Sequence, residues 1–257
     1  MINPKIIQET IAKRKPYLGN NSTMFLERVF ADGIDKYERR LLQYGFSGYK
    51  CVLDAGCGFG QWSISLSQLN DEVKAVDISQ KRVEFLESLA QELQINNVQG
   101  DCSRLDSLPY GNDTFDAIFC YGVIFLTRWQ ESLQELCRVL RPEGKLYLNA
   151  NGIGWYKHLW YCQPNKATDY DPKLQAARAF YNTWKYESGQ HSDDGVDIII
   201  EPKVLKDKLR KLGFSHIVMD SEGCLGTNNQ DDSTSSPFFR GEYLGDLGVY
   251  EIMAIKS

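Results

Sequence analysis

Cys51-Val52-Leu53-Asp54-Ala55-Gly56-Cys57-Gly58-Phe59-Gly60 is the stretch that decides the fold. Three apolar residues run into a glycine-rich turn, and Gln61 to Leu69 beyond it reads as a helix. Strand, turn and helix in that order predict an α/β sheet, whose ligands sit beyond the carboxyl ends of the strands. Glycine suits such a turn because a residue without Cβ bends tightly and lets a ligand touch the backbone. The spacing is G-x-G-x-G. A dinucleotide loop needs G-x-G-x-x-G, and its third glycine would fall on Gln61, or on Ser63 when counted from Gly58. No Gly-Lys-Ser/Thr follows, so a Walker phosphate loop is excluded. Asp54, two residues before the first glycine, repels phosphate and attracts a cation or an amino group. The expected ligand is nucleoside-like and lacks a pyrophosphate.

Val73 to Ile78 is the next strand, ending in Asp77 about 20 residues past the loop, where an acid accepts hydrogen bonds from both ribose hydroxyls. Asn97 to Cys102 is a third strand, with Asp101 near its end. Each piece alone has a plainer reading. The glycine turn is then a tight connection, Asp77 a helix cap (a role Ser79 fills better), and Asp101 a surface turn acid. Three successive strands with an acid at or near each carboxyl end form a constellation.

These residues carry a resemblance. Val52 to Gly60 resembles motif I of the class I S-adenosylmethionine-dependent methyltransferases. Asp77 matches that family's ribose-binding acid. Gly100-Asp101-Cys102, with Leu108-Pro109-Tyr110, resembles its adenine segment. Phe115 to Cys120 resembles its fourth strand, and Arg138 to Leu146, with Arg141-Pro142-Glu143-Gly144, its turn into the fifth. The likeness covers roughly residues 48 to 152 in the family's order and is greatest for the small-molecule type 11 group. It implies S-adenosyl-L-methionine as cofactor, with Asp54, Gly56, Cys57, Gly58, Gly60, Asp77, Ile78, Asp101, Cys102 and Tyr121 around it. It also implies a seven-stranded sheet whose last strand runs antiparallel.

Composition agrees with a soluble globular chain. It has 257 residues, 42% hydrophobic and 25% charged, with a net charge of −5. Nonspecific nucleic-acid binding needs a basic surface and is not expected. The seven cysteines include no Cys-x-x-Cys pair. Cys51, Cys57, Cys102 and Cys120 are expected as small apolar fillers in or beside strands, in a reducing compartment. No metal site is expected. The first 20 residues lack the apolar run of a secretory signal. The longest apolar run, Ala117 to Leu126, is too short to span a bilayer. A cytoplasmic protein follows.

Alternation of strands near 50–55, 73–78, 97–101, 115–121 and 145–150 with helices near 60–69, 80–94 and 129–140 predicts a doubly wound, mostly parallel sheet. Gly144 is expected to cap the last of these helices. Residues 4 to 46 read as two helical pieces split near Pro16 and Gly19, with Ser22 a candidate N-cap. They resemble a cap over the cofactor, and plain packing on the sheet explains them as well. Val204 to Leu212 reads as a helix with a solvated basic face, and Ile217 to Met219 and Val249 to Ile255 as the last strands. Gly226 to Pro237 reads as a polar loop.

Residues 153 to 200 break the alternation and hold nine aromatic rings between Trp155 and Tyr186. So long an insertion at a strand end is usually functional. A substrate lid is expected, with Trp155, Tyr156, Trp160 and Trp184 facing the acceptor. A satellite core explains about half of the rings. The family's reaction is in-line attack on a sulfonium methyl, driven by positioning, with a base where the nucleophile carries a proton. His158 and His191 are the candidate bases. The segment Cys120-Tyr121-Gly122-Val123 lacks both the Pro-Pro motif of base-amino methylation and the acid of metal-dependent catechol enzymes. A small-molecule acceptor methylated at oxygen leads the readings. Amine methylation, a catalytically silent cofactor-binding subunit and, more remotely, a nicotinamide oxidoreductase are the alternatives.

Overall fold

The computed structural model describes residues 2–167, 170–190, 195–226 and 237–257. Seven strands make one sheet: β1 (Cys51–Ala55), β2 (Glu72–Asp77), β3 (Val98–Cys102), β4 (Phe115–Cys120), β5 (Leu140–Asn151), β6 (Phe214–Ser221) and β9 (Val249–Lys256). Their order is β3-β2-β1-β4-β5-β9-β6. β9 runs antiparallel to both neighbours, and the other pairings are parallel. The order turns outward in both directions from β1 and β4, which makes their carboxyl ends the switch point where sheets of this kind place ligands. A short hairpin, β7 (Glu242–Tyr243) with β8 (Asp246–Leu247), was not legible in the sequence.

Side chains alternate across the strands. Val52, Ala75, Ala117 and Phe119 enter one core with α1 (Pro4–Arg14), α2 (Asn20–Phe30), α3 (Asp35–Gln43), α4 (Gln61–Ser67) and α5 (Gln80–Glu92). Leu53, Val76, Ile118 and Leu148 enter the other with α6 (Trp129–Val139) and α9 (Pro202–Lys211). Each fully buried aliphatic or Phe side chain contributes about 1.5–3 kcal/mol. The insertion folds as α7 (Ile153–Cys162) and α8 (Pro172–Glu187), joined by a small core of Tyr156, Leu159, Ala176, Ala179 and Ile199. α8 starts where it does because Pro172 stands at its first position and Asp171 accepts from Lys173 N and Leu174 N, a cap contributing about 1 kcal/mol.

Three expectations change. Ser22 lies inside α2, whose N-cap is Gly19. The N-terminal segment makes three helices, because Gly33 breaks the run before α3. Gly144 caps no helix: β5 already begins at Leu140, and the left-handed residue of its bulge is Glu143 at φ 60°. The polar loop lies outside the described residues from 227 to 236. Among the described residues no helix is long and apolar enough to cross a membrane.

Candidate functional site

β1 delivers Asp54 to the carboxyl edge, and the chain reverses through Gly56 to Gly58 into α4. Gly56 and Cys57 both donate N–H to Val76 O, at 2.8 and 2.9 Å. Gly56 (φ +83°) is closed by packing, since a Cβ there would stand 2.5 Å from Val123 Cγ1 and 2.7 Å from its Cβ. Gly60 likewise abuts Leu86. Gly58 is open: a Cβ would meet only Phe25 Cε1 at 3.8 Å and Gln61 Oε1 at 4.0 Å. Phe25, from α2, covers the loop and packs on Phe59 at 5.9 Å between ring centroids. Gln61 Oε1 and Trp62 Nε1 are buried without a hydrogen-bond partner. Each such atom costs roughly 1–3 kcal/mol while unsatisfied. An acceptor and a donor thus open α4, immediately after the loop.

The carboxylates differ in their surroundings. Asp54 is 1% exposed and accepts from Ser63 Oγ at 2.5 Å. Burial pushes its carboxyl up to about 7, against the Ser63 hydrogen bond. Asp77 accepts from Gly58 N at 3.0 Å and Ser79 N at 2.9 Å, with Arg82 Nη1 at 3.7 Å. A carboxylate has about four acceptor sites, so Asp77 keeps capacity for hydroxyl donors. Asp101 accepts from Tyr110 Oη at 2.9 Å. The register pairs Ala55 with Val76 and Asp77 with Cys102, which brings Asp54, Gly56, Cys57, Gly58, Gly60, Asp77, Ile78, Asp101 and Cys102 along three adjacent strand ends. Cys102 is exposed and no filler, because β3 is the sheet's edge strand; Cys51 is half-buried, and Cys57 and Cys120 are buried.

Tyr121, just past β4, opens onto a cluster that sequence reading missed. Its ring lies 4.8 Å from Trp62 and 6.2 Å from Phe238, while Tyr37 lies 4.7 Å from Trp62 and 5.7 Å from Phe238. Tyr121 Oη donates to Glu222 Oε1 at 3.0 Å. Arg40 Nη1 meets the same oxygen at 2.7 Å, and both side chains of that ion pair are fully buried. Phe238 N and Phe239 N donate to the other oxygen at 2.8 and 3.2 Å. Arg40 also donates to Tyr44 Oη, which donates in turn to Glu251. Glu251 accepts further from Tyr147 Oη and Leu225 N, and burial raises its carboxyl. Two signals pointed here: an acid inside the apolar run Val249 to Ile255, and an arginine between Tyr37 and Tyr44 on the buried stripe of α3.

The insertion is less concentrated. His158 lies on α7 with ring neighbours Trp155 at 5.7 Å and Tyr243 at 5.3 Å. Its Nδ1 is buried without a partner, and burial with Arg240 nearby lowers its pKa. Trp155 reaches Phe239 at 5.7 Å. Tyr156 is wholly buried in the α7–α8 core with its hydroxyl toward Asn151, so its ring packs and does not face a ligand. Trp160 and Trp184 point to solvent. His191 lies outside the described residues. A cleft of about 370 Å³ lies between Arg14, Tyr17, Leu18, Lys81, Glu84 and Phe85, where α1 meets the start of α5.

The open Gly58, the unpartnered Gln61 Oε1 and the spare capacity of Asp77 fit the methyl donor that the resemblance implies. Residues 52–144 match a family model described as a methyltransferase domain. An uncharacterized methyltransferase of Bacillus subtilis, YcgJ, is 31% identical over 139 residues, 52% of this chain and 53% of its own. A demethylmenaquinone methyltransferase of Oceanobacillus iheyensis is 29% identical over 134 residues, 51% of this chain and 55% of its own. The chain thus spans about half the length of these curated relatives. Among solved structures, the magnesium protoporphyrin IX methyltransferase of Synechocystis with bound S-adenosylhomocysteine superposes with a TM-score of 0.56 at 19% identity, covering 96% of this chain and 100% of that one. The cyclase SpnF superposes with a TM-score of 0.57 at 18% identity, covering 87% and 80%. At such identities the structures share the fold.

Proposed function

We propose, for a chain whose core belongs to the class I S-adenosylmethionine-dependent methyltransferases, that it moves a methyl group from that donor to an oxygen of a small-molecule acceptor. The observation that carries this reading is the open Gly58 beside two unpartnered buried polar atoms and the Asp77 carboxylate. When bound, the donor supplies an electrophilic methyl on a sulfonium. Asp77 accepts from its ribose hydroxyls, and the Ile78, Asp101 and Cys102 strand ends flank its base. Asp54 and Gln61 Oε1 face its amino group. Residues 1–46 cover the donor, residues 153–200 border the acceptor, and the whole acts as one cytoplasmic catalytic unit.

Tyr37, Trp62 and Phe238 form the acceptor wall, with Trp155 behind Phe239, and Tyr121 borders the donor where it adjoins Trp62. Trp62 Nε1 is the donor for an acceptor oxygen. Lys36 Nζ already lies 5.2 Å from the Tyr37 ring centre, and the Arg40 guanidinium 4.7 Å from that of Phe238. Cations on those ring faces disfavour a further cationic amine, so oxygen is preferred over nitrogen. His158, whose lowered pKa leaves it neutral near pH 7, is the proposed base for a hydroxyl acceptor. Catalysis otherwise rests on holding the two reactants in line.

The test is calorimetric titration with S-adenosylmethionine and S-adenosylhomocysteine, with NAD as control. A panel of phenol, carboxylate and amine acceptors, assayed by mass for the gain of one methyl group, follows. Saturable binding of the first two compounds and methyl gain on oxygen acceptors are expected. Donor binding with methyl gain on amines alone would overturn the oxygen assignment. Absence of donor binding would overturn the reading as a whole.

A further inference from the structure

α7 and α8 pack through Tyr156, Leu159, Ala176 and Ala179 and present a second face outward. That face holds Trp160, Phe180, Tyr181 and Trp184, between 42% and 58% exposed. On α8, Lys173, Ala177, Phe180 and Trp184 follow at steps of three and four residues and share one side of the helix with Tyr181, four residues after Ala177. Eleven steps of 1.5 Å from Lys173 to Trp184 make this stripe about 16 Å long. Lys173 Nζ lies over the Trp160 ring at 5.5 Å, which joins α7 to one end. At the other end Tyr181 and Trp184 lie 5.9 Å apart, with Lys185 Nζ 5.9 Å from the Tyr181 ring centre. Contiguous exposed rings on a soluble protein mark an interaction surface.

Composition and charge name the occupant. The rings are mostly Trp and Tyr, with an apolar body and a polar tip, and the cations around them have long apolar stems. That is the make-up of a surface seated at the boundary of water and hydrocarbon. The chain carries a net charge of −5, yet α8 holds Lys173, Arg178 and Lys185 against one acid, Glu187. Among the described residues no ion pair engages those three cations. A second copy of the chain fits poorly, because a two-fold interface would set the same cations against each other.

We infer that the outer face of α8, with Trp160 of α7, docks on an anionic lipid bilayer. The rings lie at the headgroup level, and Lys173, Arg178 and Lys185 meet the lipid charge. This holds whether or not the chain transfers methyl groups.

The test is sedimentation of the full chain with phosphatidylcholine vesicles, with and without phosphatidylglycerol, alongside tryptophan emission. Co-sedimentation with the anionic vesicles and a blue shift are expected. Binding should fall at least tenfold in the triple variant Lys173→Glu, Arg178→Glu, Lys185→Glu. It should fall similarly in the double variant Phe180→Ser, Tyr181→Ser, with both variants keeping the parent circular-dichroism spectrum. Absence of sedimentation with either vesicle, or unchanged binding in both variants, would overturn the inference. So would equal binding to vesicles without phosphatidylglycerol, retention on RNA in place of vesicles, or a concentration-dependent dimer abolished by the same variants.

Discussion

Around the loop after β1, side chains turn inward: Trp62, Asp54 and Phe59 are buried, and Asp77 is held by two backbone N–H groups. In the α7–α8 hairpin, an equal wealth of rings turns outward, and Trp184 is 56% exposed. The two regions look alike as lists of chemically able residues. They differ in constraint. Strand register and close packing at Gly56 leave the loop one arrangement, whereas one face of α8 is fixed by Ala176 and Ala179 and the other meets solvent. A residue type becomes part of a pocket when the backbone leaves it nowhere else to go. Composition alone yields a surface.

That contrast is open to direct attack. Arg40→Ala would leave Glu222 buried and uncompensated, and a loss of roughly 4 kcal/mol in urea unfolding is expected. A loss below about 1 kcal/mol would show the buried side to be as tolerant as the hairpin. Asp54 comes next. Its folded pKa of about 7 stands above the unfolded value of 3.8, so its stabilising contribution is fully present below the unfolded value and is lost as pH rises through 7. The loss is up to about 4 kcal/mol at 1.36 kcal/mol per unit. Asp54→Asn should flatten unfolding free energy between pH 4 and 8. Gly56→Ala, driven into Val123 at positive φ, should cost about 3 kcal/mol. Gly58→Ala, with open space, should cost only about 1 kcal/mol while weakening donor binding in calorimetry. Trp184→Ala should shift stability by less than about 0.5 kcal/mol, and a larger shift would move that ring from surface to core.

The strands and the loop were legible because each signal is local. Cys51 to Ala55 is a short apolar run, and Gly56, Gly58 and Gly60 sit where positive φ or close packing requires them. Ser22 and Gly144 misled for the same reason: both are good capping residues, and tertiary packing placed the helix ends elsewhere. The Arg40–Glu222 pair was not legible, since 182 positions separate its members and nothing local announces a partner. The hairpin's rings were legible as a cluster but not as a direction. Helical spacing says which residues share a face, and only the neighbouring elements decide which face is covered.

The Glu222 carboxylate gathers Arg40 of α3, Tyr121 past β4, and the backbone of Phe238 and Phe239. This bears on how the chain could be cut and recombined. By shape, residues 2–46 are an appendage on an α/β sheet, of the kind that domain shuffling exchanges between proteins. By charge they are not detachable. Any truncation or graft that removes Arg40 strands an anion in the interior, so the appendage and the far end of the sheet must be inherited together.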